Sequence, residues 1–109
     1  MSTITLEPPE AVTEKPKNKT QKPWAVIISD DDEHTYQYVI EVLRKVFGYD
    51  ETKSFKYAEE IDTKGRAIVW SGTREVAELK RDQVKGGGKD FYAGKPVEYP
   101  LACHIEEMP

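Results

Sequence analysis

The chain has 109 residues, enough for one domain with its own core and too few for two. Its 20 acidic and 16 basic residues leave a net charge of -4, so no chain-wide positive field exists to hold nucleic acid or an anionic membrane surface, and a cationic partner suits the balance better. No apolar run approaches the roughly 20 residues of a membrane span and no signal-peptide core is visible, while the single cysteine, Cys103, reads as a buried thiol in a reducing compartment; the cytoplasm is the expected address.

From Met1 to about Lys22 the sequence is rich in Thr, Glu, Pro and Lys with little apolar residue to bury, so residues 1–22 are expected to form a disordered tail and residues 23–109 the ordered core domain. Trp24-Ala25-Val26-Ile27-Ile28 is a short β-branched run ending at an acidic cluster, which predicts a strand. Tyr38, Val39, Val42, Leu43, Val46 and Phe47 recur at helical spacing, with Thr35 as N-cap and Gly48 as terminator. Asp50 is placed to cap a second helix through about Thr63, whose inner face would carry Phe55, Ala58 and Ile61 before Gly65 ends it. Arg66-Ala67-Ile68-Val69-Trp70 predicts another strand. Thr73 then caps a third helix, with Glu75 in its first turn, Val76, Leu79 and Val84 spaced for burial, and Gly86-Gly87-Gly88 as its stop. Residues 89–100 read as a Gly- and Pro-rich loop, and Leu101 to Glu107 as the last strand. The order βααβαβ predicts an α/β sandwich in which a small three-stranded antiparallel sheet packs against three helices.

Chemistry concentrates in Asp30-Asp31-Asp32-Glu33, four acids placed where a strand ends and a helix begins. Helix capping accounts for one or two, because carboxylates there accept hydrogen bonds from first-turn N–H groups and are favoured by the helix dipole. The remaining charge calls for a cation: a divalent metal, a Lys or Arg side chain, or a free α-amino group. The run lacks the alternating ligands and glycine of an EF-hand loop and has no second acid pair at catalytic spacing, so metal is the weaker reading and no cofactor is expected. Val39 and Val42 on the first helix, and Ala58 and Ile61 on the second, share three-residue spacings, with Tyr36 at the entrance of the first; packed together they would wall an apolar hollow opening toward the acids. No nucleophile signature surrounds Cys103, and the chain reads as a binding module without a catalytic site.

The runs Asp30 to Val39, Val42 to Asp50, Lys64 to Ile68 and Thr73 to Lys80 together resemble the ClpS adaptor family, in register from about Trp24 to Glu107. The resemblance implies a monomeric adaptor that recognises proteins by a free α-amino group and a bulky first side chain, usually Phe, Tyr, Trp or Leu, and hands them to a ClpA- or ClpC-type AAA+ unfoldase. It implies Asp30, Asp31 and Asp62 as α-amino ligands. It places His34, Thr35, Tyr36, Val39, Val42, Ala58 and Ile61 around the side-chain pocket, and Glu75 and Lys80 against the unfoldase. Asp30 stands where the family usually has Asn, Asp62 where it has His, and Tyr36 and Ala58 where Met is common. The altered ligand positions leave open an interaction domain of this fold with altered or lost amino-end recognition, and the acidic run with His34 leaves open a divalent-metal site.

Overall fold

The computed structural model describes residues 22–109, so the tail expected over residues 1–22 lies, apart from Lys22, outside the described residues. Its elements follow the expected order: β1 (Trp24–Ser29), α1 (Tyr36–Phe47), α2 (Glu51–Lys64), β2 (Arg66–Gly72), α3 (Arg74–Lys85) and β3 (Ala102–Glu107). The sheet is antiparallel with β1 in the middle, in the order β2-β1-β3. Ala25, Val26, Ile27 and Ile28 of β1 are all buried, which is why that strand reads as an unbroken apolar run and not as an alternating one.

Local chemistry sets the helix boundaries. Thr35, Asp50 and Thr73 adopt extended backbone and accept hydrogen bonds from the N–H groups of Tyr38, Lys53 and Val76, satisfying donors that each first turn leaves free. Gly48 and Gly65 end α1 and α2 in the left-handed conformation, at φ 73° and 88°, where a side chain would be strained. The short turn between α1 and α2 is fastened to the sheet by Tyr49, whose hydroxyl donates to the Val69 carbonyl at 2.6 Å and whose ring stacks on Phe47. The core joins Val26 and Ile28 of β1, Ala67 and Val69 of β2, and Leu101 just before β3 with Cys103 in it to the inner faces of the three helices.

Two helical faces differ from expectation. Phe55 is 45% exposed and lays its ring against Tyr36, because the buried stripe of α2 is Ser54, Ala58 and Ile61, one residue round the helix. On α3 the buried residues are Ala77 and Val84, leaving Val76 and Leu79 at 37% and 53% exposure. The small Ala77 is fully buried on the inner face of α3, and the larger Val76 and Leu79 turn outward.

Ser54 is fully buried and its hydroxyl has no hydrogen-bond partner among the described residues. An unpaired buried hydroxyl costs about 1–3 kcal/mol and Ala is the better helix former, so Ser54→Ala is expected to stabilise the protein by about 1 kcal/mol. Thermal unfolding should show the midpoint rising by about 4–8 °C; an unchanged or lowered midpoint would show the hydroxyl to be satisfied.

Candidate functional site

The site grows from the turn between β1 and α1. The Asp30 N–H donates to the Gly65 carbonyl at 2.9 Å, which ties the end of β1 to the end of α2 and carries Asp30 beside Asp62. Asp32 then takes the left-handed conformation at φ 68°, which Asp tolerates better than most residues, and its N–H donates to Asp30 Oδ1 at 3.2 Å. Asp31 turns into the loop. Its Oδ1 accepts the N–H groups of Glu33 and His34 at 3.0 and 2.9 Å, and its Oδ2 meets Nδ1 of His34. The other His34 ring nitrogen, Nε2, lies 3.0 Å from the Tyr99 carbonyl.

These turns leave a hollow of about 160 Å³ between the ends of α1 and α2, lined by Asp30, Asp32, His34, Thr35, Tyr36, Val39, Ala58, Ile61 and Asp62. Eight of the sequence-expected residues are therefore brought together, and two are placed elsewhere. Asp31 is not in the lining, because both its oxygens are engaged by the loop it organises; the left-handed turn puts Asp32 there instead. Val42 is buried in the same core but does not reach the lining of the hollow. Val39, Ala58 and Ile61 form the apolar part, while Asp30 and Asp62 are exposed carboxylates at its mouth. The Tyr36 hydroxyl donates to Asp62 Oδ2 at 2.9 Å, so the two residues bridge the opening.

The electrostatics follow from this crowding. The Asp30 charge holds the Asp32 carboxyl above its ordinary range, helped by Asp31 and Asp62. The hydrogen bond to Asp62 raises the Tyr36 phenol. Burial would raise the Asp31 carboxyl, but the N–H groups of His34 and Glu33 and the His34 ring outweigh it and hold that carboxyl below its ordinary value. No three carboxylate, imidazole or thiol side chains among the described residues are grouped as metal ligands. Cys103 is 5% exposed and its thiol is pushed up to about 11 by burial, far from a reactive thiolate.

Outside the hollow, Glu75 is exposed in the first turn of α3. Lys80 is no free surface charge: its ammonium donates to the Val46 carbonyl at 2.8 Å, near the end of α1, where a cation meets unpaired carbonyls and the negative end of the helix dipole. Sequence reasoning missed Asp90, which is fully buried and accepts the Thr35 N–H at 2.7 Å. It also missed Tyr99, whose ring meets His34 edge-on at 5.2 Å. An isolated acid among loop glycines carries no periodicity; its one signal was a charged residue followed by two aromatics, Asp90-Phe91-Tyr92.

A three-stranded sheet under three helices, with an acid-rimmed hollow carrying one apolar wall where β1 and two helices meet, defines a small α/β binding module. The sequence model of the family described as "ATP-dependent Clp protease adaptor protein ClpS" matches residues 19–104, and the chain belongs to that family. It is 33% identical over 94 residues to the ATP-dependent Clp protease adapter protein ClpS of Hydrogenovibrio crunogenus, covering 86% of this chain and 85% of the relative. With the namesake from Mycolicibacterium paratuberculosis it shares 33% over 73 residues, 67% of this chain and 70% of the relative. Among solved structures, Agrobacterium tumefaciens ClpS2 bound to L-phenylalaninamide superposes with a TM-score of 0.68 at 26% identity, over 80% of this chain and 98% of that one. The chain is thus a Clp protease adaptor and not an enzyme.

Because the folded state holds the Asp31 carboxyl below its usual value of 3.8, the unfolded chain binds the proton more readily. The stability Asp31 contributes is complete above about pH 5 and is lost as pH falls through the lower, folded value. Asp31→Asn should therefore flatten the fall of the urea midpoint between about pH 5 and pH 3; a slope equal to that of the unsubstituted chain would contradict the assignment.

Proposed function

We propose that the hollow receives the first residue of another polypeptide, whose α-amino group sits against Asp30 and Asp62 while its side chain enters between Val39, Ala58 and Ile61. Asp32 adds negative charge at the mouth, His34, Thr35 and Tyr36 make the rim, and Asp31 acts from behind by fixing the loop. A free α-amino group has a pKa of about 7.7–8.0, so it is mostly protonated at neutral pH and offers three donors. An internal segment has no such cation to answer exposed carboxylates that already repel one another. A charged first side chain would be left without partners against the apolar wall.

One observation carries the reading: carboxylates adjoin an apolar wall of Val39, Ala58 and Ile61 in one hollow, at a size of about 160 Å³. A cavity of about 150 Å³ accommodates a benzene molecule, so a phenyl group is of matching size. L-Phenylalaninamide, bound by the Agrobacterium relative, combines a free α-amino group with a benzyl side chain and a peptide-like amide. Phe, Tyr, Trp and Leu at the first position are the expected substrates.

Delivery would use α3. Glu75 is exposed there beside Val76 and Leu79, an apolar pair set in a charged helix, and this face is assigned to the Clp AAA+ unfoldase, with Lys80 securing α1 beneath it. We place this exchange in the cytoplasm, with residues 23–109 as the adaptor core.

In calorimetric titration a peptide beginning with Phe should bind and its N-acetylated form should lose about 2–5 kcal/mol, roughly thirtyfold in affinity or more. Equal affinities would refute amino-end recognition. In the same titration Tyr36→Phe, which leaves Asp62 free for the ammonium, should tighten binding by about 0.5–1.5 kcal/mol, up to roughly tenfold; weaker binding would make the hydroxyl a ligand contact instead of a competitor. Glu75→Ala with Leu79→Ala should leave peptide affinity unaltered and slow degradation of a Phe-initiated substrate by a Clp protease. An unchanged degradation rate would move the unfoldase contact elsewhere.

A further inference from the structure

The segment between α3 and β3, residues 86–101, contributes nothing to the lining of the hollow, yet it grips the residues that do. Asp90 is its pivot. The side chain is wholly buried, with no Lys, Arg or His in ion-pair contact among the described residues. One oxygen, Oδ2, accepts the Thr35 N–H at 2.7 Å, and the Thr35 hydroxyl lies 3.2 and 3.3 Å from the two carboxylate oxygens. The other, Oδ1, accepts the Tyr92 N–H at 2.9 Å. Asp90 and Val97 also exchange both backbone hydrogen bonds, at 2.9 and 3.0 Å, which zips the segment behind the carboxylate.

Three more bonds fasten the same segment to the same helix and turn. The Tyr99 carbonyl meets Nε2 of His34 at 3.0 Å, the Gly88 carbonyl accepts the Tyr38 hydroxyl at 2.6 Å, and the Tyr92 hydroxyl donates to Glu41 at 3.3 Å. The His34 ring is flanked by the rings of Tyr38 and Tyr99, with centroids 5.1 and 5.2 Å away. His34 and Thr35 line the hollow on one side and are held by residues 86–101 on the other.

A connector between a helix and an edge strand does not need a buried carboxylate, because burying a charge without a cation is unfavourable and is tolerated here through three N–H and O–H donors, two of them from Thr35. Thr35 has its own task in starting α1, and Asp90 fixes it at the one point where displacement would move His34, Thr35 and Tyr36 together. We propose that Asp90 is a positioning residue of the binding site: through Thr35 it sets the spacing of the α1 wall, including His34 and Tyr36, from the α2 wall of Ala58, Ile61 and Asp62. Residues 86–101 serve as an outer brace, absent from contact with the ligand but governing how closely the first side chain is gripped. This inference rests on the reading of the hollow as an amino-end site.

The test uses the full chain with Asp90→Ala and Asp90→Asn, titrated with L-phenylalaninamide and L-leucinamide well below each variant's melting temperature. Asn keeps one oxygen for the Thr35 N–H, so it guards against loss of folding in the Ala variant. Expected is an affinity for L-phenylalaninamide about tenfold lower for Ala, with Asn in between, and a compressed ratio of phenylalaninamide to leucinamide affinity in both. A purely structural role would lower the melting temperature and leave the affinity and the ratio of the folded protein unmoved. Folded variants with affinity and ratio within twofold of the unsubstituted chain overturn the brace while leaving amino-end recognition intact. Failure of the unsubstituted chain to bind either amide overturns both.

Discussion

The site depends on where α1 begins, and that is decided at Thr35. Its hydroxyl accepts the Tyr38 N–H, which opens the helix, while its own N–H is held by Asp90. Since each residue turns an α-helix by about 100°, a start displaced by one position would swing Val39 out of the wall and carry Tyr36 away from Asp62. Two opposed hydrogen bonds at one residue thus fix the phase of a whole helix. The second wall is fixed in an equally local way, by the left-handed Gly65 that ends α2 and whose carbonyl receives the Asp30 N–H.

The four consecutive acids do not act as a block. Asp31 is consumed in the loop by two N–H groups and an imidazole, and the left-handed turn at Asp32 separates its neighbours in direction. What remains at the mouth is Asp30, Asp32 and Asp62, with Asp32 held above its ordinary value chiefly by Asp30. At 4 Å a unit cation gains about 1 kcal/mol from each carboxylate in water and about 4 kcal/mol at the effective dielectric near a protein surface. Neither figure alone yields tight binding. On the proposed reading, an apolar wall for the adjoining side chain makes the charge selective for a cation that is covalently next to something greasy, and a polypeptide has one such place that is independent of its internal sequence.

Much of this was legible in the sequence because it is local. Three N-caps and two C-terminal glycines could be named from neighbours a few residues away, and the apolar and acidic halves of the hollow lie close to them. Legibility ended where tertiary packing chose between adjacent residues. Ser54 and not Phe55 faces inward on α2, and Ala77 in place of Val76 on α3, because close approach favours small residues at the contact and no single-sequence pattern encodes the distance. Asp32 lines the hollow where the sequence pointed to Asp31 for the same kind of reason, one backbone conformation at φ 68° deciding which acid faces it. Asp90 could not have been found at all from spacing, since its partner is 55 residues away in the chain.

The departures from the family's common residues make sense as a set. Asp62 in place of a histidine adds a fixed negative charge next to Asp30 and Asp32, which on its own would worsen the repulsion already visible at Asp32. Tyr36 in place of a methionine supplies what a thioether cannot, an O–H that donates to Asp62 at 2.9 Å. The same tyrosine also brings a ring to the mouth, where it rests on Phe55, and Ala58 gives back volume on the opposite wall. Charge is answered by a donor and bulk by a truncation, so a hollow of phenyl size persists although four of the residues around it, Asp30 among them, differ from the usual pattern. A partner entering there must offer Asp62 something better than a phenol, and an ammonium group, charged and with three donors, meets that requirement where an internal peptide N–H does not.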